Sequence, residues 1–118
     1  MPSERLAMKP QHQLWVRRIL REHVPDREVW VFGSRAGEKP KLYSDLDLVI
    51  LGDTPVPTRT LIALKDAFEE SELPYQVDVV EWASVSEKFR QIIAAQHAVL
   101  QEAQTGVRAP EPSTTQAD

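Results

Sequence analysis

Residues 45–51 read Asp-Leu-Asp-Leu-Val-Ile-Leu, two carboxylates in alternate positions running straight into unbroken apolar sequence. Leu46 to Leu51, closed by Gly52-Asp53, is the most strand-like segment of the chain. In a strand, residues i and i+2 share a face, roughly 6.5–7 Å apart. Asp45 and Asp47 therefore face each other across a gap beside a core strand. Unpaired, such carboxylates repel each other and lose solvation. A hard divalent cation that prefers oxygen ligands, Mg²⁺ above all, relieves both costs. The alternative is that the pair caps the start of the strand in solvent.

The rest of the chain arranges itself around that strand. After Pro10, Val16, Ile19, Leu20 and Val24 recur at helical spacing, which predicts a helix over 11–23, stopped before Pro25. A β-rich run over 28–32 ends at Gly33 and reads as a strand. Residues 36–44 read as a loop, with Gly37, Pro40 and charges. Pro55 and Pro57 lead into a helix over 58–70 with Leu61, Leu64 and Phe68 on its apolar stripe, and Pro74 breaks it. A third strand follows over 76–81. Ser84 and Glu87 have capping-box spacing and open a long helix over 84–104, with Val85, Phe89, Ile92, Ile93 and Leu100 on one face. From Gly106 the sequence is rich in Pro, Ser and Thr and lacks an apolar period. The expectation is one folded domain over 1–105, a flexible tail over 106–118, and a small α/β (α+β) sandwich of three strands and three helices.

Length limits what such a sandwich can hold. At 118 residues the chain has room for one domain and none for a separate substrate domain. With 14 basic against 18 acidic side chains, net charge −4, it is not built to be held on nucleic acid by phosphate neutralisation. The imbalance is local, with three Lys/Arg against seven Asp/Glu over 61–90. Absence of cysteine excludes disulfide scaffolds, thiol catalysis and Cys-based zinc sites, and fits a reducing cytoplasm. No apolar run exceeds four residues, so no membrane span is expected, and no apolar stretch after the N-terminus marks a secretory signal.

Three further observations bear on chemistry. Gly33-Ser34-Arg35 directly follows a strand. Glycine there lets backbone approach a ligand, exposed N–H groups can take phosphate oxygens, and Ser34 and Arg35 add a hydroxyl and a fixed charge. Asp78 is the one acid inside Val77-Asp78-Val79-Val80. It is either a solvent-facing position on a half-buried sheet or, if its strand pairs beside 46–51, the third carboxylate of a triad around two metals. The whole pattern is G-S-x10-D-x-D, with the strand Asp thirty-one residues beyond Asp47.

That pattern resembles the nucleotidyltransferase superfamily that includes the DNA polymerase β-like palm. More closely, over about residues 11–105, it resembles the minimal nucleotidyltransferases, the MntA-type antitoxins encoded with HepT-like toxins of the HEPN ribonuclease family. The resemblance implies a small mixed β-sheet flanked by helices. It implies that Gly33, Ser34 and Arg35 bind the nucleotide phosphates, and that Asp45, Asp47 and Asp78 are catalytic and bind two Mg²⁺. The reaction it implies moves AMP from ATP to a tyrosine of the HEPN toxin, the two proteins forming a type VII toxin–antitoxin pair.

Two competing functions are a small-molecule (aminoglycoside-type) nucleotidyltransferase and a non-catalytic partner-binding module. The first is disfavoured by the missing acceptor domain, the second by the complete set of Ser and carboxylates. Lys39, Lys41 and Tyr43 read as solvated-loop or strand-edge residues that could also reach a triphosphate, partner or base. Glu81, three beyond Asp78, faces away from it and is a poor fourth ligand. His12, His23 and His97 lack ligand spacing, and Trp15, Trp30 and Trp82 read as core and interface aromatics. There is no G-x-x-x-x-G-K-[ST], so a P-loop is not supported.

Overall fold

The computed structural model describes residues 8–33 and 45–103. Pro10 at the first helical position, where no N–H is needed, opens α1 (Pro10–His23). The helix closes on a 2.7 Å bond from the Val24 N–H to the Leu20 carbonyl, just before Pro25. β1 (Val29–Phe32) and β2 (Leu46–Ile50) pair antiparallel, then α2 (Thr58–Glu69) carries the chain to β3 (Val77–Glu81). β3 lies parallel to β2, so α2 is the crossover that parallel strands require.

The C-terminal part departs from the sequence expectation of a long helix. Residues Trp82–Ser84 form a single 3-10 turn, and the N-cap is Ser86, whose Oγ accepts from the Phe89 N–H at 3.1 Å. Helix α3 spans only Glu87–Ala95, and Gln96 is extended. A fourth strand, β4 (His97–Gln101), then pairs antiparallel with the outer edge of β1. Leu100 sits seven residues after Ile93, a spacing that fits one helix face. The same segment alternates, with Ala98 and Leu100 buried on one side and His97 and Val99 on the other. The free N–H and C=O groups of β1 decide the competition, because burying an edge unpaired is costly.

The sheet order is β3-β2-β1-β4. One face carries Val29, Val31, Leu46, Leu48, Ile50 and Val79 and is covered by Val16 and Leu20 of α1 and Leu64 and Phe68 of α2, all buried. The other face carries Phe32 and Val49 under Ile93 of α3, ringed by Trp30, Val80, Trp82 and Phe89. Gln101 ties the layers together. Its buried Nε2 donates 2.9 Å bonds to the Val24 and Arg27 carbonyls. Arg17 adds a 3.0 Å bond from Nε to the Leu100 carbonyl. Among the described residues no helix is long and apolar enough to cross a membrane.

Candidate active site

The register of the sheet sets the site. Phe32 lies opposite Asp47, and Asp47 lies opposite Asp78. On the other side Phe32 lies opposite His97. One row across four strands thus reads His97, Phe32, Asp47, Asp78, on the face away from α1 and α2. The parallel pairing of β2 and β3 brings two carboxylates side by side although they are far apart in sequence. β3 pairs beside β2, which is the pairing that the triad reading of Asp78 requires. Asp45, one residue before β2, is exposed and stands two residues ahead of Asp47.

Asp47 is half-buried, and its carboxyl is pushed up from the usual carboxylate range. Burial contributes most, then the charge of Asp78, then that of Asp45. Gln76 Nε2 reaches Asp78 Oδ1 at 3.3 Å. Among the described residues no three carboxylate or imidazole groups stand together in a way that could hold a metal ion. The donor set is nonetheless all carboxylate oxygen around uncompensated negative charge, which suits a hard dication and not a soft one.

Gly33 ends β1 with φ +78°, a backbone conformation that L side chains rarely adopt. A Cβ built there would lie 2.8 Å from Asp47 Oδ2. The dihedral favours glycine, and any larger residue would in addition push the Asp47 carboxylate aside. Ser34, Arg35, Lys39, Lys41 and Tyr43 lie outside the described residues, as does the expected tail over 106–118.

A cavity of about 1050 Å³ opens on Asp47 and Asp78. Phe32 and Phe89, in edge-to-face contact at 5.8 Å, form part of its wall. Lys65, Gln76 and Phe89 line it without having been singled out in the sequence. Gln76 had a signal, since it stands two residues before Asp78 and so on its face of the strand. Lys65 and Phe89 had none, because they reach the site only through packing of α2 and α3.

Of the other singled-out residues, His97 lies on β4 and not on the expected helix. Glu81 turns away from the site, its Oε1 accepting from the Val56 N–H at 2.6 Å. Trp30 stacks on His97, centroids 3.9 Å apart, and meets Trp82 edge-on at 5.6 Å. His12 stacks on Trp15, and the His23 ring bonds to the Ile19 carbonyl.

This sheet, with its acidic row beside a glycine-ended strand, is that of a nucleotidyl-transferring enzyme. Residues 15–100 match the nucleotidyltransferase domain, and the chain belongs to that family. Within it, the chain is 45% identical over 105 residues to the probable protein adenylyltransferase MntA of Haemophilus influenzae, covering 89% of this chain and 92% of that one. Two solved structures share its fold. One is a tri-AMPylated Shewanella oneidensis HEPN toxin in complex with MNT antitoxin, with TM-score 0.61, 23% identity, and 82% of this chain and 75% of the other covered. The second is a toxin–antitoxin with AMP-PNP, with TM-score 0.59, 23% identity and coverage of 78% and 74%.

Proposed function

We propose that the protein is a Mg²⁺-dependent, cytoplasmic antitoxin that adenylylates a tyrosine of a HEPN-family, HepT-like toxin, using ATP. The observation that carries this is the register that sets Asp47 beside Asp78, with Gly33 vacating space for the Asp47 carboxylate. The relative named as a probable protein adenylyltransferase supports the choice of a protein acceptor. The solved complexes of the same fold, with AMPylated toxin and AMP-PNP, point the same way. Residues 1–105 form the catalytic domain and 106–118 a tail outside it.

In this reading Asp45, Asp47 and Asp78 hold two Mg²⁺, and Gly33, Ser34 and Arg35 bind the nucleotide phosphates. When bound, Mg²⁺ neutralises charge on the phosphates and on the departing pyrophosphate. The tyrosine oxygen attacks the α-phosphorus, the bond to the β-phosphate oxygen breaks, and pyrophosphate leaves. Asp78, on the outer strand, accepts the phenol proton. β2 and β3 hold the carboxylates in fixed register, so the protein contributes mainly position.

The test is incubation with α-labelled ATP, Mg²⁺ and the cognate toxin. Label on a toxin tyrosine is expected, and loss of transfer by at least a hundredfold in Asp45→Asn/Asp47→Asn. Transfer to aminoglycosides but not to toxin would replace the protein acceptor with a small molecule. A tight complex with no transfer, unaffected by the double substitution, would leave only a binding module.

A further inference from the structure

We infer that the acceptor protein docks across the free outer edge of β3, in a groove that continues from the carboxylates to α2, and presents a basic segment there. The inference rests on the reading above, and it concerns the route by which the acceptor reaches Asp78.

Four successive residues of β3, from Val77 to Val80, line the same cavity. Successive strand residues point to opposite faces. A cavity that touches all four must therefore wrap around the strand's edge and is not confined to one face. β3 is the outermost strand on that side, and among the described residues no strand pairs with its outer edge. The cavity reaches Asp47, Asp78 and Phe89 on one face and Lys65 and Glu69 of α2 on the other.

The nucleotide and the acceptor must approach the α-phosphorus from opposite sides for in-line displacement. Gly33, proposed for the phosphates, follows β1, on the inner side of Asp47, and Asp78 lies on the outer side. The outer part of the groove is thus left for the acceptor. The whole cavity, at about 1050 Å³, slightly exceeds the roughly 300–1,000 Å³ typical of small-ligand sites.

Charge decides the kind of segment. Lys65 is the one base that lines the groove, against the acids Asp47, Glu69 and Asp78. A basic acceptor segment is attracted to such a rim and an acidic one repelled. The open backbone edge of β3 adds donors and acceptors for that segment.

The test compares Glu69→Lys, inside the groove, with Asp66→Lys, which changes net charge equally but does not line it. Both positions are exposed, so both variants are expected to keep the parent melting temperature. Toxin affinity is read without nucleotide by calorimetry, and KM values for toxin and ATP by initial rates. Glu69→Lys is expected to weaken toxin binding and raise toxin KM about tenfold, leaving kcat and ATP KM within twofold, while Asp66→Lys changes toxin affinity less than threefold. Equal effects of the two variants, no effect of either, or a rise in ATP KM with Glu69→Lys overturns the docking site. Binding that follows this pattern without any transfer upholds the docking site and defeats the adenylylation reading instead.

Discussion

Replacing Gly33 by Ala tests the interlock between the end of β1 and the Asp47 carboxylate. Two costs add. The φ of +78° is in the left-handed region, where an L residue is strained by about 1–2 kcal/mol. The new Cβ would also stand 2.8 Å from Asp47 Oδ2, closer than Cβ atoms come in real structures. Relieving that overlap is an overpacking problem of about 1–3 kcal/mol. The sum is on the order of 2–5 kcal/mol, which corresponds to a melting-temperature fall of roughly 10–25 °C in a domain this small. The decisive measurement is a double-mutant cycle by urea unfolding at pH 7 without divalent cations. In an Asp47→Ala background the overlap is gone and only the dihedral cost remains. Gly33→Ala should then cost about 1–2 kcal/mol, giving a coupling of about 1–3 kcal/mol. A coupling under about 0.5 kcal/mol, the level of independent sites, would refute the claim that Asp47 fills the glycine's side-chain space.

Two further predictions concern charge and capping. Asp47 binds its proton more tightly folded than unfolded, so its contribution to stability is complete below the unfolded value near 3.8 and is lost as pH rises through the higher folded value. Asp47→Asn should therefore gain stability over the parent as pH rises through that window, then hold a constant advantage to pH 8 in urea titrations with EDTA. A flat difference across the range would mean that Asp47 is not destabilised in the fold. Ser86→Ala removes the oxygen that receives the Phe89 N–H and should cost about 1 kcal/mol, whereas Ser84→Ala, at the position favoured by sequence spacing, should cost little. The two midpoints can be compared by circular dichroism.

The elements best read from sequence are those bounded by proline. Pro10 and Pro25 frame α1, Pro57 and Pro74 frame α2, and their observed ends lie within one residue of the expected ones. Gly33, Asp47 and Asp78 were legible for a related reason: each is a residue type that its surroundings make costly or special. β4 was not legible because its signal is tertiary. No proline or glycine separates Ala95 from His97, and Leu100 fits the helical period. Only the unpaired edge of β1 selects a strand. The parallel pairing of β2 with β3 was likewise outside local sequence, since Val77–Glu81 could pair with any strand of suitable length. The same applies to Phe89 and Lys65, which come to the cavity through the way α2 and α3 pack.

The crossover through α2 has a consequence for timing. Asp45 and Asp47 leave the ribosome well before Asp78, and the strands that hold them become neighbours only after the intervening helix has packed. Two carboxylates can be synthesised, and even paired in a β1–β2 hairpin, without the third. The acidic row is therefore complete only when the crossover is complete. A chain caught half-made carries Gly33 and two of the acids but lacks Asp78 beside Asp47, so the full row arrives with the folded sheet and not before it.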